Sequence, residues 1–334
     1  MKVRFGVVGA GDFGELHLKI LSKHPEAEIT WICVRTLSHA KEMAQKYGGK
    51  PTNSYKDILE DNTVNAISIL TPEQVHFEQA MSALEHNKDV LIEKPIATDP
   101  VQAESIAKKA SETNRIVFPA HICRFIPIYA KVRQYISEGD TKQIVSIYAK
   151  RNIPRNRIIL HNRIHPVLMA LSHDIDLILT YVRSIPLRIF AMERKTDPHL
   201  ENPDVFWGMI EFSNGCIAVL ETLWVLPTDA RYVDASMEIA TVNEVIHVNY
   251  PGNGIWIDSH EGFKFPDPGI IDYINGEWVG ALSHEINYFI NCVKNNKKPT
   301  IVTIEEAVLG IKLAQALIQS ALEKREIIFT RRDE

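Results

Sequence analysis

Val3-Arg4-Phe5-Gly6-Val7-Val8-Gly9-Ala10-Gly11-Asp12-Phe13-Gly14 is the stretch that decides the fold. Val3–Val8 is an apolar run of strand length, and Phe13, Leu16, Ile20 and Leu21 then recur at helical spacing. A G-x-G-x-x-G loop between a strand and a helix is the setting in which a dinucleotide binds. Gly9 permits the tight turn, Gly11 lets backbone approach a pyrophosphate, and Gly14 allows helix to pack on strand. Asp12 and Phe13 share that loop, where the first N–H groups of the helix face phosphate.

Glu93-Lys94-Pro95 gives the glycines a chemical partner. It follows the apolar run from Asp89 to Ile92 and places an amine at the carboxyl end of a later strand, where open α/β sheets hold ligands. Pro95 removes a backbone donor and holds Lys94 to extended geometry. A compact ammonium can orient a hydroxyl and exchange its proton. A nucleotide loop with a lysine at the reaction end points to redox chemistry.

The 334 residues allow two domains, and 45% apolar and 24% charged residues are ordinary for a globular protein. A net charge of −5 without a basic run argues against nucleic acid as a partner. No apolar stretch approaches the roughly 20 residues needed to span a bilayer. The chain passes at once into a strand pattern, so no signal peptide is expected. Cys33, Cys123, Cys216 and Cys292 lack C-x-x-C spacing, which indicates neither disulfide framework nor metal site. A cytoplasmic location is expected.

Strand patterns at Val3–Val8, Ile29–Val34, Ala66–Leu70, Val90–Ile92 and Ile116–Pro119 alternate with helices at Phe13–Ser22, Ala40–Tyr47, Gln74–Glu85 and Pro100–Thr113. Asp99 is the expected cap of the last helix, with Pro100 at its first position. This alternation implies a doubly wound parallel sheet, and residues 1–121 are read as a dinucleotide-binding Rossmann domain. Beyond it, a helix at Ile128–Ser137 and a strand at Gln143–Lys150 precede an arginine-rich polar segment, Arg151–Arg163. One long helix is expected from Pro166 to Val182. Strands at Leu187–Met192, Val205–Phe212, Cys216–Leu226, Tyr232–Ala240 and Val245–Asn249 follow, then helices at Ser283–Lys294 and Ile304–Leu322 and a strand at Ile327–Phe329. Ser213-Asn214-Gly215 reads as a hairpin turn. Residues 122–334 are expected to form one α+β domain with an open, mostly antiparallel sheet flanked by helices.

With these residues in place the chain resembles the Gfo/Idh/MocA family of NAD(P)-dependent oxidoreductases, whose better-known members act on sugars and cyclitols. The likeness rests on Gly9–Gly14 with His17, on Thr71-Pro72 with His76, and on Glu93-Lys94-Pro95. It continues through His121 with Arg124-Phe125, His173-Asp174-Ile175-Asp176 and the helix around Glu305–Ser320. The resemblance implies that Lys94 and His173 are catalytic, with His173 the general base. It implies that Thr71, Pro72, His76 and Glu93 line the cofactor, and that the second domain binds substrate and forms homodimers or homotetramers through its sheet. One position departs: many members carry aspartate four residues before the histidine, where this chain has Met169.

Four-residue spacing sets His165, Met169 and His173 on one helical face, so His165 and Met169 are substrate-site candidates. Arg124 joins them because it falls at the domain junction, where a cleft is expected. Tyr129, Arg151, Arg155, Arg157 and Arg163 are read mainly as solvated surface. At the end of the second strand no carboxylate is available for ribose hydroxyls: the position falls on Val34. Arg35 and Thr36 can instead hold a 2′-phosphate, which favours NADP over NAD. The expected activity is dehydrogenation of a secondary alcohol on a sugar or cyclitol-type molecule, without a metal. A silent dinucleotide sensor and a reductase of a non-sugar carbonyl or imine, like biliverdin reductase, are the alternatives.

Overall fold

In the computed structural model, residues 2–138, 143–228, 233–250, 257–259, 262–264 and 269–329 are described, with backbone alone at 159–160. Tyr232, where a strand was expected to begin, and residues 330–334 of the expected second domain lie outside them. The chain divides into two units, Met1–Phe125 with Ile270–Val308, and Ile126–Gly269 with Leu309–Glu334.

The first unit alternates β1 (Val3–Val8), α1 (Asp12–Lys23), β2 (Ala27–Cys33), α2 (Leu37–Tyr47), β3 (Lys50–Thr52), α3 (Tyr55–Glu60), β4 (Ala66–Ile69), α4 (His76–Glu85), β5 (Asp89–Glu93), α5 (Pro100–Thr113) and β6 (Val117–Ala120). All neighbouring pairs are parallel, in the order β3-β2-β1-β4-β5-β6. This is the doubly wound arrangement the alternation predicts, reversing direction between β1 and β4. β1 and β4 are buried nearly throughout because a parallel sheet is covered on both faces. Asp99 caps α5, accepting from the N–H groups of Val101 and Gln102. The short β3 and α3 carry too few periodic positions to be read from sequence.

The boundary differs from the expectation. Ile270–Val308 belongs to the first unit, not to a continuous 122–334 domain. Its helix α9 (Ala281–Asn295, numbered after α6–α8 below) buries Leu282, Ile286, Phe289 and Ile290. The Phe289 ring lies 6.0 Å from that of Phe5 and 5.9 Å from that of Phe118. An amphipathic pattern shows that a helix packs, and leaves open against what.

The second unit contains α6 (Pro127–Ser137), β7 (Ile144–Asn152), α7 (Asn156–His161), α8 (Ser172–Val182), β8 (Pro186–Arg194), β9 (Val205–Phe212), β10 (Ile217–Leu223), β11 (Asp234–Thr241) and β12 (Val245–Tyr250). α10 (Ile304–Glu323) ends in it. The sheet runs β12-β11-β7-β10-β9-β8, closed by the terminal strand Ile327–Ile328. Only β7–β10 is parallel among its strand pairs; the rest are antiparallel, as expected. Gly215, at φ +84°, makes the β9–β10 turn. One sheet face receives α10: a Cβ on Gly208 would sit 2.6 Å from Leu317, and the Ser320 hydroxyl accepts from the Ala191 N–H at 3.0 Å.

α7 lies inside the arginine-rich polar segment, for which the sequence pattern named no element. One local expectation changes here. The helix expected without interruption from Pro166 is a π-helical turn at Val167–Leu171 followed by α8. An i→i+5 turn breaks the four-residue repeat, so Met169 and His173 do not share a face by simple α spacing.

Candidate active site

Register places the carboxyl ends of three strands side by side: Val8 pairs with Ile69, and Ile69 with Ile92. Gly9, the Leu70–Pro72 turn and Glu93–Lys94 therefore leave the sheet at one edge. Gly9 has φ +96°, and a Cβ there would meet the Leu70 carbonyl oxygen at 2.6 Å. A Cβ on Gly14 would meet the Gly9 carbonyl oxygen at 2.5 Å. Gly11 differs: nothing lies within 4 Å of its Cβ position, and no side chain caps α1. Asp12 and Phe13 beside it are exposed. Open space over uncapped helix N–H groups fits a pyrophosphate.

Around the second strand's end, Arg35 and Thr36 are exposed, and Thr36, the residue before α2, makes no side-chain cap bond. No carboxylate occupies Val34, Arg35 or Thr36. His39 was not anticipated. Its Nε2 lies 3.0 Å from the Ala10 carbonyl oxygen and its Nδ1 3.3 Å from Glu42, fastening the glycine loop to α2. The Ala10 carbonyl, then Glu42, raise its pKa above the usual histidine value. Glu15 accepts from Lys46 and Tyr47 at 2.5 Å each, joining α1 to α2, and those bonds lower its carboxyl pKa to about 2. Histidine in a first helical turn, one turn past a β2 strand end, was the available signal for this tie.

At the other end of the edge, Lys94 is half-buried and Pro72 exposed, while the half-buried Thr71 donates its hydroxyl to Gln79 at 2.6 Å. His76 lies beneath this surface: it is 1% exposed, with Nδ1 2.8 Å from the Pro95 carbonyl oxygen and Nε2 2.8 Å from that of Thr71. It supports the two segments expected to line the cofactor and does not itself present a group to solvent. Glu93 accepts from the Lys94 N–H at 3.2 Å and stands 3.7 Å from the fully buried His17. Its carboxylate is turned into the fold, bracing α1 against β5.

Arg124 is corrected. Its guanidinium is 1% exposed and donates to the Ile301 carbonyl at 2.6 Å and to Glu306 at 2.8 Å, all within the first unit. Burial beside a carboxylate commits it to structure, not to a substrate.

In the second unit His173 is half-buried in the first turn of α8. The next residue, Asp174, is 2% exposed and receives Arg151 through two bonds, Nε at 2.7 Å and Nη2 at 3.0 Å. This fork ties β7 to α8 next to His173 and removes Arg151 from the solvated surface expected of it. His165 is occupied within the chain: Nδ1 accepts from the Val167 N–H at 3.2 Å, and Nε2 donates to Glu193 at 3.1 Å. It caps the π turn and braces β8, in place of the substrate contact expected of it. Met169 packs partly buried against Ile153, Ile158, Ala170 and Trp224. A cluster of three or more potential metal ligands is absent among the described residues, and no described helix is long and apolar enough to cross a membrane.

The family description "Oxidoreductase family, NAD-binding Rossmann fold" (GFO_IDH_MocA) matches residues 3–121, and "GFO/IDH/MocA C-terminal domain" matches residues 129–241. Among curated proteins, 4-carboxy-2-hydroxymuconate-6-semialdehyde dehydrogenase of Sphingobium sp. is 34% identical over 139 residues, 41% of this chain and 44% of that protein. The chain thus spans less than half the length of that relative. The match to scyllo-inositol 2-dehydrogenase (NAD(+)) of Bacillus subtilis is 25% identical over 332 residues, covering 96% of this chain and 94% of that one. The solved structure of myo-inositol 2-dehydrogenase from Lactobacillus plantarum superposes with TM-score 0.85 at 19% identity, over 99% of this chain and 100% of that chain. With a Rossmann unit, a mixed sheet unit and both family domains matched in order, this chain belongs to the GFO/IDH/MocA oxidoreductase family.

Proposed function

We propose that the protein is an NAD(P)-dependent dehydrogenase acting on a secondary alcohol of a sugar, cyclitol or sugar derivative. The observation that carries this reading is the shared sheet edge: the open cradle at Gly11 follows β1 and the half-buried Lys94 follows β5, with only β4 between them and the carboxyl ends of all three in register. Full-length similarity to an inositol dehydrogenase supports the substrate class.

A bound nicotinamide supplies the two-electron chemistry. The chain's own groups handle position and proton. Lys94 holds the substrate oxygen through its ammonium, both as hydroxyl and as the carbonyl that forms. His173 accepts the hydroxyl proton from that oxygen and returns it in the reverse direction. Such proton transfer contributes roughly 10²- to 10⁴-fold in rate. Pairing of Arg151 with Asp174 fixes the start of α8, so His173 is carried on a rigid support. Met169 stands four residues before His173, at the position where the family resemblance implies an aspartate. Arg35 and Thr36, with no acid at the strand end, favour NADP over NAD. The four cysteines are buried free thiols, in keeping with a cytoplasmic, reducing setting. The open face of the second unit's sheet is proposed to pair copies into a dimer or tetramer.

Lys94→Ala tests the assignment directly. Turnover with a panel of inositols, sugars and sugar derivatives is expected to fall by about 10²-fold or more, with dinucleotide affinity retained. Turnover near the starting rate removes Lys94 from the mechanism, and dinucleotide binding without reduction on any substrate would favour a sensor.

A further inference from the structure

The amino edge of the first sheet carries a charge pattern that the dinucleotide edge does not use. A cavity of about 520 Å³ opens there, beside the starts of β1, β4, β5 and β6 and the end of α9. Four cations, Lys2, Lys88, Arg115 and Lys294, and one carboxylate, Asp89, line it, in a chain whose net charge is −5. β5 has five residues, so Lys88 before it and Lys94 after it stand about 20 Å apart. The cavity is therefore separate from the edge at which Gly11 and Lys94 lie.

Two of these cations lack a counter-charge. Lys294 pairs with Glu26, and Asp89, 8% exposed, accepts from the Ile116 N–H at 2.9 Å. Lys88 is 4% exposed and enters no ion pair among the described residues. Its ammonium donates to the carbonyl oxygens of Asp61 at 2.7 Å and Val64 at 2.9 Å. These fill two of its three N–H positions and carry no net charge. The Asp61 carboxylate is turned to Thr63 and Trp31. Burial pushes the Lys88 pKa below the usual lysine value, with Asp61 opposing. Arg115, half-buried, also enters no ion pair among the described residues, and its buried Nε has no acceptor. Lysine and arginine are seldom buried unpaired, and an unmet buried donor is costly. Capping the end of α3 accounts for the bond to Asp61. It accounts for neither the third N–H of Lys88 nor the Nε of Arg115.

We infer that this cavity binds a small phosphate-bearing anion, held by Arg115 and Lys88. A guanidinium offers a fork of N–H donors to two phosphate oxygens, and an ammonium adds a point charge. Asn65 accepts the Arg4 N–H through Oδ1 at 3.0 Å, which leaves its amide N–H groups for hydroxyls of the same ligand. The volume suits a molecule of sugar-phosphate size. None of these residues belongs to the Gly11–Lys94 edge, so anion binding here stands whether or not the chain oxidises an alcohol.

Full-length protein without dinucleotide is titrated with inorganic phosphate by calorimetry at neutral pH and constant ionic strength. A Kd of about 1 mM is expected, and Arg115→Gln is expected to weaken it by about tenfold or more. Arg115→Lys keeps the charge without the fork and is expected to bind with an affinity between the two, which guards against a misfolded Arg115→Gln. Hydrogen exchange locates the ion: phosphate is expected to slow the amides of residues 61–66 and 86–90 in the unaltered protein and not in Arg115→Gln. No heat of binding up to about 20 mM phosphate, or unchanged affinity in a folded Arg115→Gln, overturns the site. Slowing confined to residues 9–15 also overturns it, because the ion then sits at the dinucleotide loop. An equal response to chloride does the same, since screening alone then explains the effect.

Discussion

Gly11 and Gly14 stand three residues apart and answer alanine in opposite ways. At Gly14 the new methyl would press on the Gly9 carbonyl at 2.5 Å, so Gly14→Ala is expected to cost about 1–3 kcal/mol in chemical denaturation. At Gly11 the methyl meets nothing within 4 Å, so Gly11→Ala keeps its stability and loses dinucleotide affinity by about tenfold or more, about 1.4 kcal/mol. Equal stability losses in the two variants would show that the space above Gly11 is not a cradle. Arg35 carries the cofactor preference at the same scale. A hydrogen bond to a charged group contributes about 1.5–3 kcal/mol, so Arg35→Asp is expected to swing the NADP-to-NAD affinity ratio towards NAD by roughly ten- to a hundredfold. Titration of the variant with both dinucleotides checks this; an unchanged ratio removes Arg35 from recognition of the 2′-phosphate.

Between elements, the decisive contact in the second unit is the buried fork of Arg151 on β7 and Asp174 on α8. Arg151→Met leaves a carboxylate that is 2% exposed without its guanidinium partner, a loss of about 3–5 kcal/mol. The double variant Arg151→Met/Asp174→Leu is expected to recover much of that, because apolar groups of similar volume need no buried counter-charge. Urea midpoints of the three proteins decide it; a double variant no more stable than the single one would show that the fork is net stabilising. The same contact explains a failure of sequence reading. Arginines in a polar stretch look solvated, and only the pairing of β7 with β10 and β11 turns Arg151 inward.

For the whole molecule, the open sheet face is the feature left to explain. Phe190 and Met192 on β8 stand opposite Met209 and Trp207 on β9, and these four are 43%, 65%, 48% and 41% exposed. Val219 continues the row on β10 opposite Met209, and Tyr148 on β7 stacks with Trp207 at 6.3 Å. This exposed apolar row is the ground on which the face is proposed as the contact between copies. Trp207→Glu with Met209→Lys is expected to reduce the mass measured by light scattering to that of a single chain while the fold is retained. An unchanged mass rules this face out as the contact between copies.

Alternation of strand and helix patterns through residue 120, with the glycine spacing after β1, determined the Rossmann topology from sequence alone. Those signals are local: period, cap and turn each need only neighbouring residues. The place of Lys94 just past a strand end was legible too, because an apolar run precedes it and a proline follows it. Tertiary structure alone decided that α9 returns to the first sheet and that Arg124 and Arg151 are buried ion-pair members. It alone showed that His165 caps a π turn and that His76 bridges two carbonyls. Each depends on which surfaces meet across long separations in the chain, and an amphipathic face or a lone charged residue carries no record of its partner.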